Sequence, residues 1–229
     1  MLSVIIPTYN EKGNIAILIR RLDASLGGSH EIIVVDDNSP DGTAAEVEAI
    51  AAGLESVRLV RRESKAGLTG AILAGVKAAK GDRIAVMDAD LSHPPEKVAE
   101  LSKSLDSADL AVGSRLMEGG EVKKWPLHRK LISRVADALA RIVVGTDCTD
   151  PLSGFFAARK EVFGRTDFRT KGYKLLLNIL ADNRGLRVRE IPYTFRDRHA
   201  GATKLGNIEI LTYLLDLCRI RFGRRRKGR

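Results

Sequence analysis

Three continuous apolar runs, "SVIIP", "EIIVV" and "RIAVM", each end in a polar segment, "TYNE", "DDNSPDG" and "DADLSH" respectively. A run without polar alternation suits a strand buried on both faces, and such strands belong to parallel sheets covered by helices. Strands are expected at 2–6, 31–37, 57–62, 83–90 and 109–115, with helical stretches between them. This alternation predicts an α/β fold with a mostly parallel sheet and helices on both faces. Ligands of such sheets sit at the carboxyl ends of the strands, so the three polar segments should converge on one crevice.

After Arg115 come a charged, Gly-containing loop, "LMEGGEVKKWP", and a basic amphipathic helix over 127–144. They are followed by "DPLSGFFAARKEVF", a helix near 174–183 and the strand "RVREIPYTF". No long polar linker intervenes, so residues 1–207 read as one catalytic-size domain. "RDRHAGATKLGN" (196–207) has no apolar run and reads as a mobile loop over the crevice. In 208–229, Ile208, Leu211, Leu215, Cys218 and Phe222 share one helical face ahead of "RFGRRRKGR". That face either lies on a membrane surface with the basic tail as anchor, or packs on the domain with the tail solvated.

Charge supports a local role for the tail. Seven of the 38 basic residues lie at or after Arg219, with no acid after Asp216; the remaining 31 face 29 acids. A nearly neutral domain with 5% aromatic residues is a poor nucleic-acid binder. Cys148 and Cys218 lack metal-ligand spacing and read as buried free thiols in a reducing compartment. With no basic n-region and apolar h-region ahead of "LSVIIP" a secretory leader is not expected, and the stretch near 208–220 is too short and too charged to span a bilayer.

The chemistry centres on Asp88 and Asp90. Two carboxylates leaving one strand end at i and i+2 repel each other unless a cation sits with them, and hard oxygen ligands suit Mg²⁺ or Mn²⁺ on a diphosphate. His93 reads as a turn residue more readily than as a ligand. Asp37 can accept from a ribose or a base, while Asp41 suits an ordinary cap. Arg115, Arg129, Arg134, Arg198 and Lys204 are available to a diphosphate or phosphate. There is no GxGxxG, no P-loop and no Ser-His-Asp or Cys-His pairing, so dinucleotide, triphosphate and nucleophilic-hydrolase readings are weak.

"VIIPTYNE", "VVDDNSPDGT", "MDADLSHPP", "GSR", "WPLHRKLIS", "DPLSGFFAARKEVF" and "RHAGATKLG" occur in this order. Over about residues 1–207 the chain thereby resembles the dolichyl-phosphate mannose synthases, inverting family 2 glycosyltransferases of the GT-A (Rossmann-like) fold. The resemblance implies transfer of mannose from GDP-mannose to dolichyl (polyprenyl) phosphate, with UDP-glucose as the alternative donor and a non-catalytic nucleotide-sugar binder as the remaining reading. It implies that Pro7, Tyr9, Glu11, Val35 and Asp37 hold the guanosine. Asp88, Ala89 and Asp90 would lie on the diphosphate, with Mg²⁺ or Mn²⁺ on Asp88, Asp90 and, directly or through water, Ser92. Arg115, Arg129 and Ser133 would face the acceptor phosphate, and Lys174, Arg198 and Lys204 would close over the phosphates. Asp90, Arg115, Arg129 and Arg198 are thus the expected catalytic set. The lipid acceptor implies a position on the cytosolic face of a membrane, held by the tail or by a small membrane-embedded helper subunit.

Overall fold

The computed structural model describes residues 1–63, 67–123, 125–168, 174–196 and 207–223. In chain order the elements are β1 (Leu2–Thr8), α1 (Lys12–Ser25), β2 (His30–Asp36), α2 (Thr43–Ala51), β3 (Val57–Arg61), α3 (Leu68–Ala78) and β4 (Arg83–Val86). There follow α4 (Val98–Ser104), β5 (Leu110–Ser114), β6 (Glu121–Val122), α5 (Leu127–Val144), β7 (Phe156–Arg159) and α6 (Lys160–Arg165). The last elements are α7 (Leu175–Asp182), β8 (Val188–Pro192), β9 (Thr194–Phe195) and α8 (Asn207–Gly223).

Seven strands form the central sheet in the order β3-β2-β1-β4-β7-β5-β8, and β6 pairs with β9 in a separate ribbon. All neighbours in the large sheet are parallel except β7, which runs antiparallel to both β4 and β5. The expected parallel sheet therefore holds one reversed strand. Its sequence, Phe-Ala-Ala-Arg, is four residues long and contains no β-branched side chain, which leaves little periodic signal to read.

Side chains alternate across the sheet. Val4 and Ile6 of β1 face a core built with α1, α2 and α4, whereas Ile5, Ile33 and Val35 face the opposite core with α3, α5, α6, α7 and α8. The chain winds from β1 outward to β3, then returns to place β4 on the other side of β1. That reversal opens a crevice above the carboxyl ends of β1 and β4, where open α/β sheets receive their ligands.

Strand β4 stops at Val86, opposite Ile5 of β1, rather than running on to Asp90. The acids thus leave the ladder and belong to the loop, where their side chains are not committed to either face of the sheet.

Helix α8 docks on the molecule through Tyr213, Leu217 and Ile220, which join the core beside α5 and α7. Leu215, Cys218 and Phe222, of the stripe expected from sequence, are exposed instead; the side chains of Ile208 and Leu211 lie outside the described residues. Cys218 is therefore a surface thiol, contrary to the expectation of two buried ones, because its helical face points away from α5. Cys148 is buried, and burial pushes its thiol pKa up.

Candidate functional site

The loops after β1, β2 and β4 share a backbone device. Each contains one non-glycine residue in the left-handed region: Asn10, Asn38 and Leu91. Asparagine tolerates this conformation, but for leucine it costs about 1–2 kcal/mol, and such strain persists only where surrounding contacts enforce it.

Most acids in these loops are satisfied by near neighbours in sequence. The Asp36 carboxylate accepts from the Ser39 N–H and hydroxyl and from Thr8 Oγ1. Asp41 accepts from the Thr43 N–H at 2.9 Å and hydroxyl at 2.6 Å, and from the Lys12 N–H at 3.1 Å, which ties the first loop to the second. Asp90 Oδ1 accepts from the Ser92 N–H at 3.1 Å and hydroxyl at 2.6 Å. Asp37 differs: the Arg62 guanidinium, just past β3, donates to its Oδ1 at 2.6 Å, with both side chains largely buried. Nothing in the sequence around Arg62 marks that partnership.

Of the acid pair, Asp90 is buried and its side chain is held by Ser92, while the Asp88 side chain is 41% exposed. Backbone and side chain of Asp88 meet one ring. Its N–H donates to His93 Nδ1 at 3.1 Å, and its Oδ2 lies 3.9 Å from His93 Nε2. Burial pushes the His93 pKa down to about 4, so the ring is neutral at pH 7, with Nδ1 the acceptor and Nε2 carrying the proton. His93 is a buttress of the acid loop, stacked on Phe155 with ring centroids 5.0 Å apart. Across the loop, a Cβ added at Gly154 would sit 3.5 Å from Asp88 Oδ2, so the "DPLSGFF" segment runs directly against the acid.

An aromatic cluster carries the site onward to the arginines. Phe195 packs edge-on to His93 and to Trp125; Arg115 lies 5.7 Å from the Phe195 ring, and Arg129 lies 3.9 Å above Trp125. Asp88 and the two arginines therefore border one continuous wall.

Arg115 is not an unengaged cation. Its Nε and Nη2 both donate to Asp150 at 2.7 Å, its backbone N–H does so at 2.9 Å, and Asp150 is fully buried. Burial opposes the guanidinium charge, but the Asp150 carboxylate more than offsets this and raises the Arg115 pKa. Sequence reasoning missed Asp150; it is the first residue of the quoted "DPLSGFF", but its partner lies 35 positions away.

Helix α5 has two distinct long faces. Arg129, Ser133 and Asp137 follow one another at i, i+4 and i+8 on the face toward the site. On the other, Leu127 (83% exposed), Leu131 (64%), Val135 (52%) and Ile142 (78%) stand in solvent, joined by exposed Leu214, Leu215 and Phe222 of α8. Arg134 is exposed on the outer side with Arg141, away from Ser133, and does not join the inner cluster.

The remaining expected residues divide by location. Tyr9 is 40% exposed at the end of β1, and Glu11 Oε2 accepts from Asn14 Nδ2. Pro7 and Ala89 are buried, and the Val35 side chain is wholly in the core, so only its main chain is open to a ligand. Lys174, at the start of α7, places Nζ 3.8 Å from the centre of the Tyr213 ring of α8; burial, partly offset by Asp216, lowers its pKa to about 8. Arg198 and Lys204, with the 197–206 loop and the tail from Arg224, lie outside the described residues.

The fold and the loops carry a family identity. The chain spans 63% of the length of a Pyrococcus furiosus dolichol-phosphate mannosyltransferase, to which 95% of it aligns at 43% identity. It is 40% identical to the dolichol-phosphate mannosyltransferase of Saccharomyces cerevisiae over 94% of this chain and 85% of that one. A polyprenol monophosphomannose synthase of Mycolicibacterium smegmatis is also 40% identical, over 90% and 82%. Among solved structures, glucosyl-3-phosphoglycerate synthase of Mycobacterium tuberculosis shares the GT-A fold with a TM-score of 0.71 at 22% identity, covering 97% of this chain and 80% of that one. Residues 3–166 match the model of the glycosyl transferase family 2, and the chain belongs to that family.

Proposed function

We propose that the protein transfers mannose from GDP-mannose to the phosphate of a dolichyl or other polyprenyl lipid, with inversion at the anomeric carbon. The observation that carries this reading is the continuous wall from Asp88 through His93, Phe195 and Trp125 to Arg115 and Arg129. It joins an acid loop suited to a cation-bound diphosphate with an arginine-bearing face suited to a second, separate phosphate. The names of the Pyrococcus, Saccharomyces and Mycolicibacterium relatives point to the same sugar and the same class of lipid.

On this reading the strand-end residues Tyr9, Glu11 and Asp37 hold the nucleoside, with Arg62 fixing the Asp37 carboxylate. The donor set at the diphosphate fits a divalent ion. The Asp88 side chain is 41% exposed with Asp90 two positions on, and among the described residues no third His, Cys, Asp or Glu joins them, so phosphate and water would complete the coordination. Mg²⁺ or Mn²⁺ there would neutralise charge on the departing diphosphate, and the Mn²⁺ complexes of the structurally similar synthase agree with that choice.

The acceptor phosphate is already an anion, so no base need remove a proton. Its oxygen forms the bond to the anomeric carbon as the bond from that carbon to the diphosphate breaks, and GDP leaves with the electron pair. Arg129 and Ser133 orient the attacking phosphate. Arg115, clamped by Asp150, supplies a fixed positive field that does not have to reorganise during transfer.

A lipid acceptor calls for a membrane surface. Among the described residues no helix is long and apolar enough to cross a membrane. The exposed apolar side chains of α5 and α8, with Arg134 and Arg141 on α5, instead suit a surface lying on anionic lipid, and the sequence after Gly223 adds further basic residues. The test is a transfer assay with radiolabelled GDP-mannose, UDP-glucose and GDP-glucose, a polyprenyl phosphate in detergent, and Mg²⁺, Mn²⁺ or a chelator. Metal-dependent label in the lipid from GDP-mannose alone is expected. Label only from UDP-glucose would change the donor, and no lipid product from any donor would overturn the proposal.

A further inference from the structure

The inner stripe of α5 ends in an acid that the transfer reaction does not use. Asp137 is only 2% exposed. Ser133 Oγ donates to its Oδ2 at 3.3 Å, while Oδ1 has no hydrogen-bond partner. Arg115, from the end of β5, is already neutralised by Asp150 of the loop before β7. From α8, Tyr213 donates its hydroxyl to the Ala136 carbonyl; Lys174 of the α7 start lies over the Tyr213 ring, with Asp216 acting on it. Among the described residues, none of these groups gives Asp137 an ion pair. Burial, with the Asp150 charge adding to it and Arg115 opposing, pushes the Asp137 carboxyl up to about 7.

On the reading proposed above, which this inference requires, a phosphate dianion comes to rest beside Arg129 and Ser133, one helical turn away from Asp137. Two anions that close in a poorly solvated space cannot both stay charged without a cation between them. We infer that Asp137 takes up one proton from solvent as the acceptor phosphate binds and keeps it throughout transfer, leaving the Ser133 hydroxyl to donate to the phosphate. No bond to carbon involves Asp137. It is a positioning residue that acts through Ser133 and lets acceptor binding sense pH near neutrality.

The test is calorimetry of decyl phosphate binding to the full chain at pH 8, in two buffers of different ionisation enthalpy, where an alkyl phosphate is already a dianion. Wild type is expected to take up about one proton per phosphate bound, and its affinity to weaken about tenfold per pH unit above the Asp137 titration. Asp137→Asn, neutral and isosteric, should bind with no uptake and a flat pH dependence, and Asp137→Glu should restore the uptake. In turnover, the pH dependence of wild type should appear in the acceptor KM and not in the donor KM. Binding by wild type without proton uptake, or uptake retained in Asp137→Asn, overturns the inference while leaving the acceptor reading intact. Failure of wild type to bind any alkyl phosphate overturns that reading and the inference together.

Discussion

The two halves of the site satisfy their charges in opposite ways. In the loops after β1, β2 and β4, Asp36, Asp41 and Asp90 are held by Ser39, Thr43 and Ser92, two or three positions away. Across the aromatic wall, Arg115 is held by Asp150, 35 positions away, and Thr149 gives both its N–H and its hydroxyl to Glu190, 41 positions away. Local pairing of the first kind survives in a short peptide motif. Pairing of the second kind exists only once the sheet has formed. The locally paired acids of the donor half should therefore lose chemistry without losing the fold when they change, whereas Asp37, held by Arg62 from 25 positions away, and the acceptor half should lose both.

The largest contrast is expected at the acids themselves. Asp88→Asn and Asp90→Asn should each lower kcat by about two to three orders of magnitude, the usual cost of removing one preorganised electrostatic group. Circular dichroism and urea midpoints should stay near wild type. Wild-type turnover by either variant under limiting metal would break the assignment of this half.

Next in size is Asp150→Ala, which strands a buried guanidinium. Urea denaturation should show a loss of about 3–5 kcal/mol, as for other buried pairs broken on one side. A loss as small as that of an exposed ion pair would mean that the two halves are not different in kind.

A third experiment separates the acceptor half from its outer surface. Leu131→Glu and Ile142→Glu, at exposed positions of α5, should leave stability within about 0.5 kcal/mol and should spare transfer to a short, water-soluble acceptor. Binding to anionic liposomes should fall sharply, and unchanged sedimentation with liposomes would remove the membrane role from α5.

The last effect expected is a pH dependence of stability. The Asp137 carboxyl rises from its ordinary 3.8 to about 7 in the fold, so the folded state binds the extra proton between those values. Its contribution is fully present below pH 4 and is lost as pH rises through 7. Asp137→Asn should accordingly raise the melting temperature relative to wild type at pH 8 and not at pH 4. An equal shift at both pH values would assign the effect to packing rather than to charge.

Much of the donor half was legible in the residues. Unbroken apolar runs such as Ile32–Val35 reveal a doubly buried strand, and the acids that follow must lie where the strand ends. Yet the reading extended β4 to Asp90, since apolar Met87 and Ala89 continue its pattern, whereas the ladder ends with the Ile5–Val86 pair. In the acceptor half Arg115 and Arg129 stood out as phosphate-binding candidates, but their assignment to the acceptor, with Ser133, came only through family resemblance. The stripe on α8 shows why periodicity alone was insufficient: it identifies an apolar face without saying what meets it. Here α5 takes Tyr213, Leu217 and Ile220 and leaves Leu215 and Phe222 outside.

By itself, then, the sequence determined the alternation of strand and helix, the end of the sheet at which polar loops gather, and the near-neutral domain with its basic tail. These follow from side-chain period and from charge, which are properties of neighbouring residues. Tertiary structure alone decided that β7 runs backwards between β4 and β5, that Arg62 holds Asp37, and that Asp150 holds Arg115. It also decided that Asp137 is buried with no ion-pair partner among the described residues. Each of these depends on which distant groups share a low-dielectric space, where one missing or added partner changes both the charge state and the chemistry.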